Sequence, residues 1–129
     1  MFDKKILYVD YYDQIRETAV EYLVSKGFKN VFQSGDYDET LQIITKEQPD
    51  VILIEIYVGI HGQHYSENGI EIIRKTKAEL SPKSYILVAT ADFEELYGDK
   101  CKKAGADDYM EKPIHLRELF EKIKAILSK

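Results

Sequence analysis

The sequence has little of what disulfide-linked, membrane-spanning or nucleic-acid-binding proteins need. Its 129 residues contain one cysteine, Cys101, which excludes an internal disulfide and a zinc site built from several cysteines, and which favours a reduced, cytoplasmic setting. No apolar run approaches the roughly 18 residues of a membrane-spanning helix, and the first residues, MFDKKILYVD, do not resemble a signal peptide. A basic excess is also missing, since 18 Lys and Arg face 23 Asp and Glu, which argues against nucleic acid as a partner.

The composition that is present is typical of one folded domain. Hydrophobic residues make up 44% of the chain and charged residues 32%, as in ordinary globular proteins. Three apolar runs, at 6–9, 51–56 and 85–89, are continuous rather than alternating, which predicts strands buried on both faces of a parallel sheet. Weaker segments at 31–33 and 108–110 complete five predicted strands.

Segments with helical spacing separate these strands. Asp13 and Asn68 are predicted to cap the first and third helices, and the second is predicted over 36–48. The fourth is predicted over 93–104, and the last has the clearest apolar stripe, over 116–127. Five alternating strands and helices with short connections predict a (βα)5 architecture, which is a doubly wound α/β fold.

Polar side chains lie near the ends of four predicted strands. Asp10 and Tyr11 follow the first strand, Glu55 lies at the third, Thr90 follows the fourth and Lys112 follows the fifth. Because doubly wound sheets place their ligand sites at the carboxyl ends of the strands, we expect these side chains to converge. Carboxylates, a hydroxyl and an ammonium in one pocket suit phosphate or metal chemistry.

Four segments, ILYVDYYDQIR, PDVILIEI, VATA and GADDYMEKPI, resemble the receiver domain of two-component response regulators in their order and spacing. The resemblance covers essentially the whole chain. It implies a flavodoxin-like parallel sheet of five strands in the order 2-1-3-4-5. It also implies that residues 1–129 form a single receiver-like domain with no output domain.

By this resemblance, Asp10 and Tyr11 take the places of the acidic pair that holds Mg²⁺, and Glu55 takes the place of the phosphoacceptor Asp. Two of these positions depart from the family, because Tyr11 is not an acid and Glu55 is one methylene longer than Asp. Mg²⁺ demands near-octahedral oxygen ligands, so Asp10 and Glu55 are expected to be only residual, weak metal ligands and no cofactor is expected. A misplacement of about 1 Å can cost on the order of 100-fold in rate, which argues against ordinary acceptor chemistry at Glu55.

The resemblance also implies that Thr90 and Lys112 correspond to the groups that grip the phosphoryl oxygens, and Tyr109 to the switch aromatic of the fifth strand. Asp10, Glu55 and Lys112 together carry a formal charge of about −1, and we expect Lys112 to bridge both acids. A purely structural interpretation stands beside this one, in which Glu55 and Lys112 form only an ion pair, Thr90 satisfies a loop amide and Tyr109 is a half-buried strand residue.

The sequence therefore predicts a non-enzymatic response-regulator module of two-component, phosphorelay signal transduction that acts by protein–protein docking without phosphorylation. The resemblance implies a histidine kinase or a downstream effector as partner, bound through the fourth helix, fifth strand and fifth helix. No membrane is expected to take part, and whether the protein forms a homodimer is left open by the sequence. One alternative is a conventional Mg²⁺-dependent phosphoacceptor receiver that uses Glu55. Another is a small-ligand or metal-binding flavodoxin-like domain.

The segment 57–68 is longer than the corresponding connection in receivers. His61 and His64, with Glu67 nearby, raise the hypothesis of a transition-metal site, although the glycines of this segment argue against a helix that would align them. Long loops in compact domains are often functional. The favoured prediction is a polar loop that covers the pocket.

Overall fold

The computed structural model describes residues 1–60 and 63–129, with the backbone alone of 63–66. Within these residues the strands, in chain order, are β1 (Lys5–Val9), β2 (Asn30–Ser34), β3 (Val51–Ile54), β4 (Val58–Ile60), β5 (Gln63–Ser66), β6 (Tyr85–Thr90) and β7 (Asp108–Glu111). The helices are α1 (Asp13–Ser25), α2 (Tyr37–Glu47), α3 (Asn68–Lys75), α4 (Glu94–Ala104) and α5 (Leu116–Leu127), and a π-helical turn over Thr76–Leu80 follows α3.

Five strands form a parallel sheet in the order β2-β1-β3-β6-β7. In its centre, Ile6 of β1 pairs with Val51 of β3, and Val51 pairs with Tyr85 of β6. This is the order 2-1-3-4-5 among the strands of the main sheet, so the predicted flavodoxin-like α/β fold is confirmed. Successive strands are added towards one side of the sheet from β1 to β2 and towards the other side from β3 onwards, so the strand order reverses between β1 and β3. In parallel sheets of this kind the point of reversal marks the ligand site.

The central strands are apolar on both faces because helices cover both faces. On one face, Leu7 packs in a cluster that includes Ile44 of α2 and residues of α3 and α4. On the other face, Tyr8 packs with Leu23 of α1 and Ile123 of α5. Burial of each such aliphatic side chain stabilises the fold by about 1.5–3 kcal/mol, which explains why the strand sequences are continuously hydrophobic.

An antiparallel hairpin of β4 and β5 lies between β3 and α3, where the sequence analysis predicts a polar loop. That prediction is wrong because the segment contributes to the core: Val58 is fully buried and Tyr57 packs against the core cluster. The hairpin is also attached to the connection between β2 and α2, since the Gly59 N–H donates to the Gly35 carbonyl at 3.1 Å. It therefore forms a fixed part of the edge at which the strand ends meet.

Two predicted helix caps are each wrong by one residue. Tyr12 and Glu67 occupy the cap positions of α1 and α3 without a capping side-chain hydrogen bond, while Asp13 and Asn68 are the first helical residues. The Asn68 amide instead donates to the Val58 carbonyl at 3.1 Å, so it secures the hairpin. Among the described residues, none of the helices combines the length and the apolar character needed to cross a bilayer.

Candidate functional site

A lysine ammonium joins two carboxylates at the carboxyl edge of the sheet. Asp10 follows β1, Glu55 follows β3 and Lys112 follows β7, and the parallel register brings these strand ends to one edge. Lys112 Nζ donates to Asp10 Oδ2 at 2.7 Å and to Glu55 Oε1 at 2.9 Å. We refer to these three residues as the carboxylate–lysine triad.

Each carboxylate oxygen of the triad has a hydrogen-bond donor. Asp10 is fully buried and Glu55 is 2% exposed. Their remaining oxygens accept backbone hydrogen bonds, Asp10 Oδ1 from the Tyr12 N–H at 2.9 Å and Glu55 Oε2 from the Ile56 N–H at 2.7 Å. Burial of charge is costly unless each charge is paired and hydrogen-bonded, and here both conditions are met.

The charges of the triad keep Lys112 protonated. Burial acts to lower the pKa of Lys112, but the charges of Asp10 and Glu55 and the hydrogen bonds to them outweigh burial, so the pKa is raised. Burial raises the pKa of Asp10, and the neighbouring Lys112 ammonium reduces that rise. The lysine is therefore a cation at neutral pH, and the triad is a fixed ionic network of formal charge about −1.

Thr90 and Tyr109 lie near the triad, and both contact the loop that follows β6. Thr90 is fully buried; its hydroxyl accepts a long hydrogen bond of 3.4 Å from the Asp92 N–H, and its carbonyl accepts one of 2.7 Å from the Lys112 N–H. Tyr109 is half-buried in β7 and donates its hydroxyl proton to the Asp92 carbonyl at 2.9 Å. Both side chains therefore fix the loop that leads into α4.

Tyr11, at the position expected for a second acid, packs against the hairpin. A Cβ added at Gly59 would lie 2.9 Å from Tyr11 Cδ1 and 3.1 Å from the Gly35 carbonyl oxygen, so no larger residue fits at position 59 without displacing one of them. The Tyr11 ring also contacts the Tyr12 ring edge to face, with centroids 5.6 Å apart. The aromatic side chain and the glycine are thus complementary in shape.

The donor set at this edge does not fit Mg²⁺. That ion prefers six oxygen ligands at near-ideal octahedral positions, whereas the triad offers the carboxylates of Asp10 and Glu55, and both are bonded to the Lys112 ammonium. The third expected oxygen donor is replaced by the phenol of Tyr11. Over 1–60 and 67–129, where side chains are described, no group of three or more His, Cys, Asp or Glu is placed to hold a metal ion.

The hypothesis of a transition-metal site in the segment 57–68 stays a prediction. His61 lies outside the described residues, and of His64 only the backbone is described. The Glu67 carboxylate forms an ion pair with Lys100 of α4. Glu67 thus contributes to the attachment of the segment before α3 to a neighbouring helix.

Sequence reasoning missed two groups next to the triad. Tyr8 lies two residues before Asp10 in β1 and is 1% exposed, and burial followed by the negative charges of Asp10 and Glu55 raises the pKa of its hydroxyl. Arg16 of α1 donates from Nη1 to the Asp10 carbonyl at 2.7 Å. Tyr8 could have been identified from the sequence, because it places a hydroxyl inside an otherwise apolar strand. Nothing in the sequence pattern of α1 distinguishes Arg16 from the other polar residues of that helix.

Comparison with known proteins finds similarity along nearly the whole chain. The family model described as "Response regulator receiver domain" matches residues 6–124. The alkaline phosphatase synthesis transcriptional regulatory protein PhoP of Bacillus subtilis is 32% identical over 127 residues, which are 97% of this chain and 49% of that protein. A cyclic di-GMP phosphodiesterase of Thermotoga maritima is 32% identical over 118 residues, which are 92% of this chain and 29% of that protein. The chain thus spans half or less of the length of these two relatives.

Solved structures show the same similarity. A response regulator receiver domain protein from Methanospirillum hungatei JF-1 superimposes with a TM-score of 0.85 at 28% identity, covering 98% of this chain and 94% of that one. A response regulator from Thermotoga maritima superimposes with a TM-score of 0.81 at 25% identity, covering 98% of this chain and 99% of that one. The similarity therefore includes all five strands of the main sheet.

Proposed function

Because the chain belongs to the response regulator receiver domain family of two-component signalling, we propose that it signals through protein contacts without accepting a phosphoryl group. The carboxylate–lysine triad is the observation that supports this proposal. Lys112 bonds both acids, and both oxygens of Glu55 already accept hydrogen bonds. The group at the acceptor position is thus engaged by the protein itself.

Phosphoryl transfer to Glu55 lacks support from its surroundings in two respects. The reaction needs a cation that neutralises the charge developing on the phosphoryl oxygens, and the donor set around Asp10 does not fit Mg²⁺. It also needs a carboxylate oxygen free to attack in line, whereas Glu55 Oε2 accepts a 2.7 Å hydrogen bond from the adjacent Ile56 N–H. Attack would first have to break a short, buried hydrogen bond.

The longer side chain of Glu55 gives the pocket an internal anion. In receivers, by the resemblance given above, the lysine grips a phosphoryl oxygen, and here Lys112 binds a Glu55 oxygen at 2.9 Å. The Glu55 carboxylate thereby takes the role of that oxygen toward the lysine. We infer that the site is held in one state, with Tyr109 hydrogen-bonded to the loop before α4.

The surface formed by α4, β7 and α5 is the docking face in this proposal, with a histidine kinase or a downstream effector in the cytoplasm as partner. Phe93 and Leu96, at the start of α4, are 61% and 71% exposed. Large apolar side chains exposed together favour a contact surface. No catalytic step and no cofactor form part of the proposed function.

Amide NMR with Mg²⁺ and beryllofluoride, a phosphoryl mimic, tests the proposal. We expect no saturable shifts at Asp10, Thr90 or Lys112 in this protein, while a receiver that carries both acids and an acceptor Asp, studied in parallel, should respond. Incubation with a small-molecule phosphodonor and Mg²⁺, followed by intact-mass spectrometry, is expected to leave the mass unchanged. Saturable shifts at the triad, or an acid-stable and base-labile phosphoryl adduct on Glu55, would establish the conventional receiver instead.

A further inference from the structure

A cavity of about 530 Å³ lies beside the triad, between β1, α1 and α5. Its deepest residues are buried: Tyr8 is 1% exposed, Ala19 2% and Leu119 0%. Its mouth is apolar and accessible, since Ile15 and Tyr12 of the α1 region are 46% and 45% exposed. Cavities of 300–1,000 Å³ with apolar walls and few polar groups are typical sites for small molecules.

The Tyr8 hydroxyl is the polar group inside this cavity that the fold does not use. Tyr8 lines the cavity, and over the described residues its hydroxyl forms no hydrogen bond. Burial, and then the charges of Asp10 and Glu55, raise the pKa of Tyr8, so the hydroxyl keeps its proton and is a donor at any physiological pH. The hydroxyl is not fully enclosed by protein, since Asp92 Oδ2 is the one fully buried side-chain polar atom without a partner among the described residues; it opens onto the cavity, where an acceptor on a bound molecule can receive its hydrogen bond.

The charges at one end of the cavity restrict what can bind. Glu55 and Lys112 both line the cavity, and with Asp10 they give a formal charge of about −1. This charge repels an anionic group. A cationic group next to it would meet the Lys112 ammonium and would find no carboxylate oxygen without a donor, because every oxygen of Asp10 and Glu55 already accepts a hydrogen bond. The remaining choice is a neutral group that accepts hydrogen bonds, attached to an apolar body that contacts Ala19 and Leu119.

We propose that this cavity binds a small neutral molecule with an apolar body and a carbonyl-type acceptor, which receives the Tyr8 hydroxyl hydrogen bond. The site goes beyond the signalling role proposed above. It does not depend on whether Glu55 can be phosphorylated, because the proposed hydrogen bond comes from the Tyr8 hydroxyl and the apolar contacts come from Ala19 and Leu119, although Glu55 and Lys112 line one end of the same cavity. A ligand there would contact Lys112 and α5 together, and would thus link a small molecule to the docking face.

Binding is tested with three probes of similar size and different charge: acetophenone, benzoate and benzylamine. Each is titrated into the intact protein, and amide NMR shifts are followed. We expect acetophenone to bind in the millimolar range, as befits a fragment of this size, with saturable shifts at Ile15, Ala19 and Leu119. Benzoate and benzylamine are expected to bind at least about 10-fold more weakly, because each carries a buried charge without a partner.

Matched variants separate the hydroxyl from the apolar walls. Tyr8→Phe keeps the ring and removes the donor, so it should weaken acetophenone binding by about 3- to 10-fold, the value of one hydrogen bond. Tyr37→Phe removes a hydroxyl on the opposite side of the sheet and should leave the affinity unchanged. Ala91→Leu, at an exposed position of the cavity wall, should obstruct binding without disturbing the core.

The proposal is overturned if acetophenone produces no saturable shifts, or if the shifts map to another surface. It is also overturned if Tyr8→Phe binds acetophenone as tightly as the unaltered protein, or if benzoate binds as tightly as acetophenone. Unfolding curves of each variant show whether the fold is intact, so a loss of binding is attributed to the cavity only in a folded protein. A negative result with acetophenone does not affect the outcome of the beryllofluoride and phosphodonor experiments, because those experiments report on Asp10, Glu55 and Thr90 rather than on the Tyr8 hydroxyl.

Discussion

Replacing Lys112 with Met is expected to destabilise the protein by about 3–5 kcal/mol at pH 7, the usual cost of removing one partner from a buried ion pair. At 2.7 and 2.9 Å, each attraction is worth about 6 kcal/mol at an effective dielectric constant of 20. In the intact protein these attractions offset the cost of burying Asp10 and Glu55. In the variant both carboxylates stay buried without their cation, and a domain of this kind has a total stability of only about 5–15 kcal/mol.

Urea unfolding followed by far-ultraviolet circular dichroism measures the effect. With a slope of about 2 kcal/mol per molar urea, the expected loss lowers the unfolding midpoint by about 1.5–2.5 M. Lys5→Met is the matched control, because Lys5 pairs with Glu47 at 3.2 Å and its side chain is 41% exposed. Exposed ion pairs contribute about 0–1 kcal/mol, so the control should unfold near the midpoint of the unaltered protein.

The pH dependence distinguishes lost charge pairing from lost packing. The Lys112 ammonium lowers the pKa of Asp10, so without Lys112 this buried carboxylate takes up a proton more readily. The difference in unfolding free energy between the Lys112→Met variant and the unaltered protein should therefore narrow as the pH falls from 7 towards 4. A loss of packing around the lysine chain would be independent of pH. A cost below about 1 kcal/mol at pH 7, or an equal cost at both pH values, would refute the reasoning.

Three further substitutions test the edge of the sheet. Gly59→Ala is expected to lower the free energy of unfolding, measured in urea, by about 1–3 kcal/mol, because the added Cβ would meet the Tyr11 ring. Gly98→Ala in α4 is the control. Its Cβ would meet only a flexible glutamate side chain, so this substitution should be neutral or stabilising. Gly69→Ala places a Cβ 2.2 Å from a backbone carbonyl oxygen just after β3, so it should cost more than about 3 kcal/mol and lower the yield of folded protein; a normal unfolding midpoint would contradict this. Burial raises the pKa of Asp10 above 3.8, so this carboxyl's contribution to stability falls as the pH rises from about 4 through its folded pKa. The difference in unfolding free energy between the Asp10→Asn variant and the unaltered protein should therefore shift in favour of the variant as the pH rises from 4 to 7. Parallel pH profiles of the two proteins would show that the Asp10 carboxyl has the same pKa in the folded and the unfolded state.

The sheet was predictable from sequence because its central strands satisfy one simple condition. A strand covered by helices on both faces must be apolar at every position, and the runs at 6–9, 51–56 and 85–89 meet that condition. The order of the strands did not follow from those runs and came with the family resemblance. The approach of Lys112 to Asp10 and Glu55 was predictable once the strand ends were known to share one edge.

The hairpin was not predictable, because its signals conflict. Gly59 and Gly62 indicate turns and breaks, whereas the burial of Val58 depends on tertiary contacts that no local pattern specifies. The cavity was missed for a related reason. Strand periodicity identifies Tyr8 as a core residue, but only the packing of α1 and α5 determines whether its hydroxyl meets an acceptor.

The fit between Tyr11 and Gly59 has a consequence for how such a site changes over generations. Tyr11→Asp alone would leave a gap the size of a phenol ring beneath the hairpin and bring a third carboxylate towards two that share one lysine. A larger side chain at position 59, introduced first, would collide with the tyrosine. Either substitution made alone is therefore unfavourable, and a route of single substitutions from Tyr11 and Gly59 to an acid and a larger residue passes through a less stable protein.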